Sequence, residues 1–432
     1  MTGVAIEEFR MTELGLLPPK WEVVSLGDVA EVSSGGSAPQ GKGFFGGQNP
    51  FIRVQHLELE SNTIRRWDLI TDEAVNKYGL KLYSKGTIVF PKSGASIYLE
   101  KRAILPIDAY IVSHLSAVIS QSSLVDQNFL FYYLRFTRLS EQKAEGYPTL
   151  NLTEIKQRRI ACPPLTEQKK IAAVLSAVQE AKERTEAVIK ALRELKKSLM
   201  KHLFTYGPVS LEEAENVPLK ETEIGLMPED WEVVRLGEVV TFSSKPHNLN
   251  LSANENVPFV PMEYIPDDRI DIHQYETKKL GEIGSGTFFF KGDLLVAKIT
   301  PSFENGKQCI VNNLPSNFGY ATTEVWPLHQ TTSADLLYLF YHLKRKEVRT
   351  DIASKMEGST GRQRVPRHVL QNLHVSLPSL SIQRQITDML SPIEGKIEAE
   401  ESNKKSLEAL FSTLLSNLMT GKMRVNNLEV PV

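Results

Sequence analysis

The chain has 432 residues, 41% of them hydrophobic and 24% charged, which is the composition of a folded globular protein and excludes a disordered or collagen-like chain. Fifty basic against 52 acidic residues give a formal charge of −2, so a nucleic-acid surface must come from local clusters of basic side chains. Cys162 and Cys309 are the only cysteines, which excludes a disulfide framework and makes the reducing cytoplasm the expected compartment. No run of about 18 apolar residues occurs, so no contact with a membrane interior is expected.

The first structural element occurs twice in the chain. Residues 12–34 read TELGLLPPKWEVVSLGDVAEVSS and residues 222–244 read TEIGLMPEDWEVVRLGEVVTFSS, with 14 identities in 23 positions at a constant offset of 210. Trp21 and Trp231 are each followed by EVV and by Leu-Gly, a pattern that indicates a buried aromatic residue, a strand and a turn. The repeat predicts two homologous halves.

The interior of each half predicts an α+β domain, although the two interiors share only fragments of sequence. Runs of β-branched and aromatic residues predict strands, and one helix is expected late in each half. The predicted strands are 21–26, 86–90, 110–119, 259–262, 287–290 and 293–299, and the predicted helices are 126–136 and 333–346.

A long helix with a heptad pattern follows each domain. In the first, apolar residues alternate at steps of three and four, which is typical of a coiled coil, and Thr166 is the expected N-cap. The second keeps the same frame, and Pro392 is expected to kink it. We expect the two helices to pair with each other, although each could instead pack on its own domain. The predicted pairing residues are Ile171, Val174, Val178, Val188, Leu192, Leu195, Leu199, Ile386, Met389, Ile393, Leu407, Leu410 and Leu414.

Chain connectivity sets the predicted direction of pairing. The first helix delivers the chain to its far end, so the second helix must run back antiparallel to it. The predicted fold is therefore α+β, with two homologous globular domains joined by two long antiparallel coiled-coil helices in a pseudo-two-fold arrangement. The predicted segments are a first domain (1–165), a first helix (166–205), a linker (206–220), a second domain (221–380), a second helix (381–422) and a C-terminal tail (423–432).

Motifs of the common catalytic classes are absent from the sequence. There is no Walker A motif, no GxSxG and no HExxH. Asp267, Glu276 and Lys278 have a spacing compatible with a PD-(D/E)xK endonuclease that holds Mg²⁺, but the pattern is short and the first half has no counterpart. This endonuclease is one alternative function, and a purely structural coiled-coil adaptor is another.

Basic residues concentrate in the two divergent interiors. The densest group is GSTGRQRVPRHV, residues 358–369, which predicts a flexible loop facing DNA, because arginine can donate to phosphate or guanine and glutamine can pair with adenine. Arg65 and Arg66 add to the positive charge of the first half. The candidate DNA-binding residues are Lys42, Arg53, His56, Lys92, Lys298, Lys307, Arg362, Gln363, Arg364 and Arg367.

The chain resembles the DNA-specificity (S) subunits of type I restriction-modification enzymes. The resemblance covers essentially the full chain and rests on the two opening segments, on CPPLTEQKKIAAVLS and LPSLSIQRQITDMLS before the helices, and on ELKKSLMKHLF and EALFSTLLSNLM at the helix ends. It implies two target-recognition domains that each read half of a bipartite, asymmetric site in double-stranded DNA, and spacer helices that dock two methyltransferase (M) subunits. It also implies a subunit with no catalytic, cofactor-binding or metal-binding residues of its own. S-adenosylmethionine, ATP and Mg²⁺ would then belong to the M subunits and to restriction (R) subunits where these are present.

Overall fold

The chain forms two compact units in the computed structural model, which describes residues 9–59, 61–140, 148–247, 249, 252–359 and 361–425. The first unit comprises the described parts of Met1–Glu186 and Asn403–Val432, and the second those of Ala187–Ser402. Each unit therefore contains one α+β domain, half of the first long helix and half of the second. None of the helices in the described ranges has the length and apolar character that a membrane span needs.

The first unit begins with two small antiparallel pairs, β1 with β2 and β3 with β12, and continues with two four-stranded sheets. The sheet orders are β6-β5-β10-β7 and β4-β11-β8-β9. Trp21, just before β3, is fully buried in the core. The elements are β1 (Arg10–Thr12), β2 (Gly15–Leu17), β3 (Glu22–Ser25), α1 (Leu26–Val29), β4 (Ala30–Ser34), β5 (Phe45–Ile52), β6 (Asp68–Ile70), α2 (Asp72–Tyr78), β7 (Leu82–Tyr83), β8 (Ile88–Pro91), β9 (Ala103–Ile104), β10 (Ala109–Ile111), β11 (Leu115–Ser120), α3 (Gln127–Phe136), α4 (Leu152–Gln157), β12 (Arg159–Cys162) and the long helix α5 (Leu165–Tyr206).

The second unit repeats this plan, including the interior where the sequences differ. Its sheet orders, β18-β17-β22-β19 and β16-β23-β20-β21, match those of the first unit strand for strand. A parallel strand pairing also recurs, as β5 with β10 and as β17 with β22. The elements are α6 (Leu211–Ala214), β13 (Leu219–Thr222), β14 (Gly225–Pro228), β15 (Glu232–Arg235), α7 (Leu236–Val239), β16 (Val240–Phe242), β17 (Asn256–Val260), β18 (Glu276–Lys279), β19 (Thr287–Phe290), β20 (Leu294–Ala297), β21 (Gln308–Ile310), β22 (Phe318–Ala321), β23 (Val325–Gln330), α8 (Leu336–Lys344), α9 (Lys346–Ser354), β24 (Glu357–Ser359), β25 (Arg362–Arg364), α10 (Arg367–Gln371), β26 (His374–Leu377) and the long helix α11 (Leu380–Met419).

One glutamine anchors the start of each long helix to its domain. The side chain of Gln168 accepts a hydrogen bond from the Asp126 N–H at 2.8 Å and donates to the Pro163 carbonyl at 2.8 Å. Gln383 makes the same two bonds in the second unit, also at 2.8 Å each. Both amides are buried, and buried polar groups that are fully bonded fix orientation. The helix therefore leaves each domain in the same direction.

The two long helices run antiparallel within each unit. In the first unit Lys182 pairs with Glu408, and Glu186 pairs with Lys404. Residue numbers therefore increase along α5 while those of the partners on α11 decrease. In the second unit Arg193 pairs with Glu401 and Lys196 with Glu394, in the same direction. The predicted α+β class and the antiparallel helix pair are confirmed. Helix α11 also continues through Pro392 without a break.

Two sequence predictions are corrected by the structure. Residues 110–119, expected as one strand, form the end of β10 and most of β11, which belong to different sheets because the chain turns at Ser113 and His114. Thr166, expected as an N-cap, lies inside α5, which begins at Leu165. The carbonyl of Pro164 accepts the first helical hydrogen bonds, from the N–H groups of Glu167 and Gln168 at 2.8 and 3.0 Å.

Candidate DNA interface

The described residues of the basic cluster, 358–359 and 361–369, contribute to the hairpin β24–β25 and to the start of helix α10, whereas the sequence predicted a flexible loop. Gly358 and Gly361 have φ angles of 130° and 82°, which glycine adopts without the strain that a side chain would introduce. The N–H of Thr300 donates to the Gln363 carbonyl at 3.0 Å. This bond ties the hairpin to the segment that follows β20.

Arg364 is held from one side by an acidic residue. Its Nε and Nη2 donate to the two carboxylate oxygens of Glu324 at 2.9 and 2.7 Å. The bond from Arg364 lowers the pKa of Glu324, so the carboxylate stays ionised. The arginine side chain is half-exposed, with Nη1 on the edge that does not face Glu324. A guanidinium fixed in this way can present its other donors to guanine O6 and N7.

Other cations surround this hairpin. The Nζ of Lys298 lies 4.2 Å from the ring centroid of Trp326, and the guanidinium of Arg367 lies 4.5 Å from that of Phe242. Burial lowers the pKa of Lys298, while neighbouring Glu324 acts in the opposite direction. Arg362 and Arg367 are exposed. The second unit therefore carries a cationic surface at the end of β20, as nucleic-acid binding requires.

Lys92 occupies the corresponding position in the first unit. Its N–H donates to the His114 carbonyl at 2.9 Å and its carbonyl accepts from the Leu150 N–H at 2.7 Å. Lys298 makes the same bonds, donating to Glu324 at 2.9 Å and accepting from Val365 at 2.7 Å. The structure thus places two candidates that the sequence proposed separately at equivalent positions of the two units, just after the equivalent strands β8 and β20.

The other candidates of the two halves have different surroundings. Lys42 is exposed, and Arg53 pairs with Asp68 at 2.7 Å. His56 is only 5% exposed, and burial lowers its pKa. Its Nδ1 accepts from the Arg53 N–H at 3.0 Å, so His56 supports the loop and its prediction as a DNA contact is corrected. The Nζ of Lys307 donates to the Met262 carbonyl at 2.8 Å, which gives this lysine a role in the fold.

The residues of the alternative endonuclease site form an ordinary surface pair. Lys278 contacts Glu276 at 2.8 Å on strand β18 and lies 4.0 Å from the ring centroid of Phe259. The carbonyl of Asp267 accepts from Lys344. Within the described residues, no three or more histidine, cysteine, aspartate or glutamate side chains are grouped as metal ligands. The geometry gives this alternative no support.

The buried seam of the helix pair differs from the predicted one. Ile171 and Ile386 are fully buried, and most other predicted pairing residues are half-buried. Four of them are exposed, and for these the prediction is corrected: Val188, Leu195, Met389 and Leu410. The buried side chains lie one residue later in the heptad than the predicted ones. Examples are Lys182, Ile189, Glu394 and Ile397. Charged pairs such as Arg193 with Glu401 and Lys196 with Glu394 join the helices, while the four exposed apolar side chains lie on the surface.

Comparison with known proteins decides the family. The family model of the type I restriction modification DNA specificity domain matches residues 18–194 and again residues 228–409. The chain belongs to the type I DNA-specificity family. This specificity subunit is 26% identical to the type I restriction enzyme MjaVIII specificity subunit of Methanocaldococcus jannaschii, over 98% of this chain and 97% of that one. It is 34% identical over 199 residues to the EcoEI specificity subunit of Escherichia coli, covering 44% of this chain and 33% of that one. Its fold matches the crystal structure of a type I S subunit from M. genitalium with a TM-score of 0.60, at 14% identity over 95% of this chain and 98% of that one.

Three further residues lie beside the candidate DNA-binding lysines, and the sequence did not indicate them. His114 bonds through Nδ1 to Ser93 Oγ at 2.6 Å beside Lys92, and Glu324 and Trp326 surround Lys298. A lone histidine, glutamate or tryptophan in a β-rich sequence carries no signal for DNA. The matched hydrogen bonds of Lys92 and Lys298 make these neighbours candidates for the same interface.

Proposed function

We propose that each unit reads one half of a bipartite, asymmetric sequence in double-stranded DNA, and that the subunit docks two methyltransferase subunits. The observation that carries the proposal is a repeated framework with different side chains on it. Lys92 and Lys298 make equivalent backbone hydrogen bonds, yet His114 occupies the place that Glu324 has in the other unit. A common scaffold with different exposed groups is what two readers of different half-sites require.

The experiment is an exchange of one interior. Residues 32–159 are replaced by the corresponding segment of a specificity subunit with another target, and the methylated sites of cells that carry the complete system are mapped. We expect the first half-site to change and the second to remain, because the two units have separate cores. The matched control exchanges residues 242–374, the equivalent segment, and should change only the second half-site. An exchange that alters both half-sites would contradict two independent readers.

The subunit itself is proposed to be non-catalytic, with S-adenosylmethionine on the methyltransferase subunits, and with ATP and Mg²⁺ on restriction subunits where these join the complex. The sequence supports this, because it contains no motif for any of these groups. Purified alone, the chain should transfer no methyl group to DNA, and addition of its methyltransferase subunits should start the reaction. Methyl transfer by the purified chain alone, confirmed by mass spectrometry to be free of partners, would refute the proposal.

A further inference from the structure

We infer that each unit reads a base with one side chain that a neighbour holds in place, Arg364 in the second unit and His114 in the first. We infer also that the adjacent equivalent lysines, Lys298 and Lys92, contact the DNA backbone and carry no sequence information. This inference rests on the proposed DNA-reading function and assigns separate tasks to the residues of that surface.

The arginine has the geometry of a guanine reader. Glu324 occupies Nε and one Nη2 donor of Arg364, which restricts the guanidinium to one orientation and leaves the Nη1 side available. Two parallel donors in a fixed plane match the O6 and N7 acceptors of guanine in the major groove. Because the guanidinium is held in one orientation, it cannot turn to suit another base, so discrimination between bases is larger than for a free arginine.

The histidine is held in a comparable way by a neutral partner. The Nδ1 of His114 is 2.6 Å from Ser93 Oγ, and the histidine side chain is exposed. This hydrogen bond restricts the orientation of the imidazole ring, and Nε2, at the other side of the exposed ring, can donate to or accept from a base edge according to the tautomer. Because a histidine replaces the glutamate–arginine pair, the first unit must prefer a different base from the second.

The lysines suit a task that both half-sites share. Each is fixed at its backbone by the same two hydrogen bonds, yet each ends in a flexible ammonium group, which recognises a phosphate as a point charge and does not distinguish bases. An anchor of this kind holds the reading residues against the groove. A lysine occupies this position in both units, although their interiors differ in sequence. This agrees with a contact to phosphate, which every DNA target offers.

The experiment uses the full chain in complex with its methyltransferase subunits. Binding is measured by fluorescence anisotropy on duplexes that carry the methylome-derived site, on duplexes with one base pair changed at a time, and over a salt series. Arg364→Ala should reduce the preference for one base pair of the second half-site by about 10- to 100-fold and leave the first half-site unchanged. His114→Ala should do the same at one position of the first half-site.

Variants of the residues that orient the readers, Glu324 and Ser93, should differ in effect from variants of the lysines. Glu324→Gln and Ser93→Ala should relax the same base position as Arg364→Ala and His114→Ala, respectively, but by a smaller factor, because the reader remains and only its orientation is freed. Lys298→Ala and Lys92→Ala should weaken binding to every duplex equally and lower the slope of log K against log salt by about 1. Lys197→Ala, on the exposed side of α5, is the control and should change neither quantity.

The outcomes separate this inference from the proposed function. If the unmodified complex shows no two-part site, the proposed function fails before any variant is made. If the site exists but Arg364→Ala and His114→Ala weaken all duplexes equally, the assignment of the readers is wrong. If Lys298→Ala or Lys92→Ala changes base preference, the assignment of the lysines is wrong.

Discussion

Replacement of two exposed leucines by aspartate, Leu195→Asp together with Leu410→Asp, is expected to abolish DNA methylation by removing both methyltransferase subunits from the complex. The two residues lie at equivalent positions of the repeat, 215 apart, and are 52% and 45% exposed. Each is flanked by half-buried leucines three and four residues away, which form an apolar row on the helix surface. An apolar row on an exposed helix face favours contact with a partner.

The expected result is a change in stoichiometry. Native mass spectrometry of the co-expressed complex should show two methyltransferase subunits on the original chain, one on either single variant and none on the double variant. A carboxylate buried without a partner in such a contact costs several kcal/mol, whereas on the free helix it is solvated and changes stability by less than about 0.5 kcal/mol. The variants should therefore fold normally and fail only in assembly.

The control is Leu211→Asp, at a leucine that is 80% exposed on α6 and outside both long helices. It should retain two methyltransferase subunits and full methylation. Two partners retained on both single variants would show that these leucines do not form the docking surface.

The same leucines explain why part of the fold could be predicted from the sequence and part could not. Heptad spacing depends only on helix period, so it correctly indicated long paired helices. It could not distinguish a row buried between two helices from a row left on the surface, since both are apolar at the same spacing. The polar positions Gln179, Lys182 and Glu394 are buried in the structure, and a binary pattern of apolar and polar residues assigns such positions to solvent.

The candidate DNA interface could also be predicted only in part from the sequence. The basic cluster around Arg364 was visible because several cations are adjacent in sequence. The match between Lys92 and Lys298 was not visible, because it depends on hydrogen bonds to strands and loops that lie 22 to 67 residues away in the chain. For the same reason the turn at Ser113 and His114 was missed, since both flanking segments have strand composition and only their sheet partners differ.

The ion pairs between α5 and α11 predict how much one buried charge contributes to the stability of the second unit. Lys196 pairs with Glu394, whose side chain is only 5% exposed, and the lysine side chain is 18% exposed. Burial raises the pKa of Tyr341, and the neighbouring charge of Glu394 raises it further, so this charge acts inside the core. Lys196→Met removes the paired cation and leaves this carboxylate buried, which we expect to reduce the free energy of unfolding by about 3 kcal/mol.

Arg193→Met is the matched control, because Arg193 pairs with Glu401 on the same helices but is 57% exposed. Glu401 is also 3.9 Å from Arg269, so the loss of the exposed Arg193 leaves another cation beside this carboxylate and should cost less than about 1 kcal/mol. Urea unfolding should therefore separate the two variants clearly. The double variant Lys196→Met with Glu394→Met should recover most of the lost stability, since it removes the buried carboxylate together with the cation that pairs with it. If Lys196→Met lowers the free energy of unfolding no more than Arg193→Met does, Glu394 must be solvated or paired with another cation. The helix pair would then be held by its buried apolar residues, such as Ile189 and Ile397, and not by its charges.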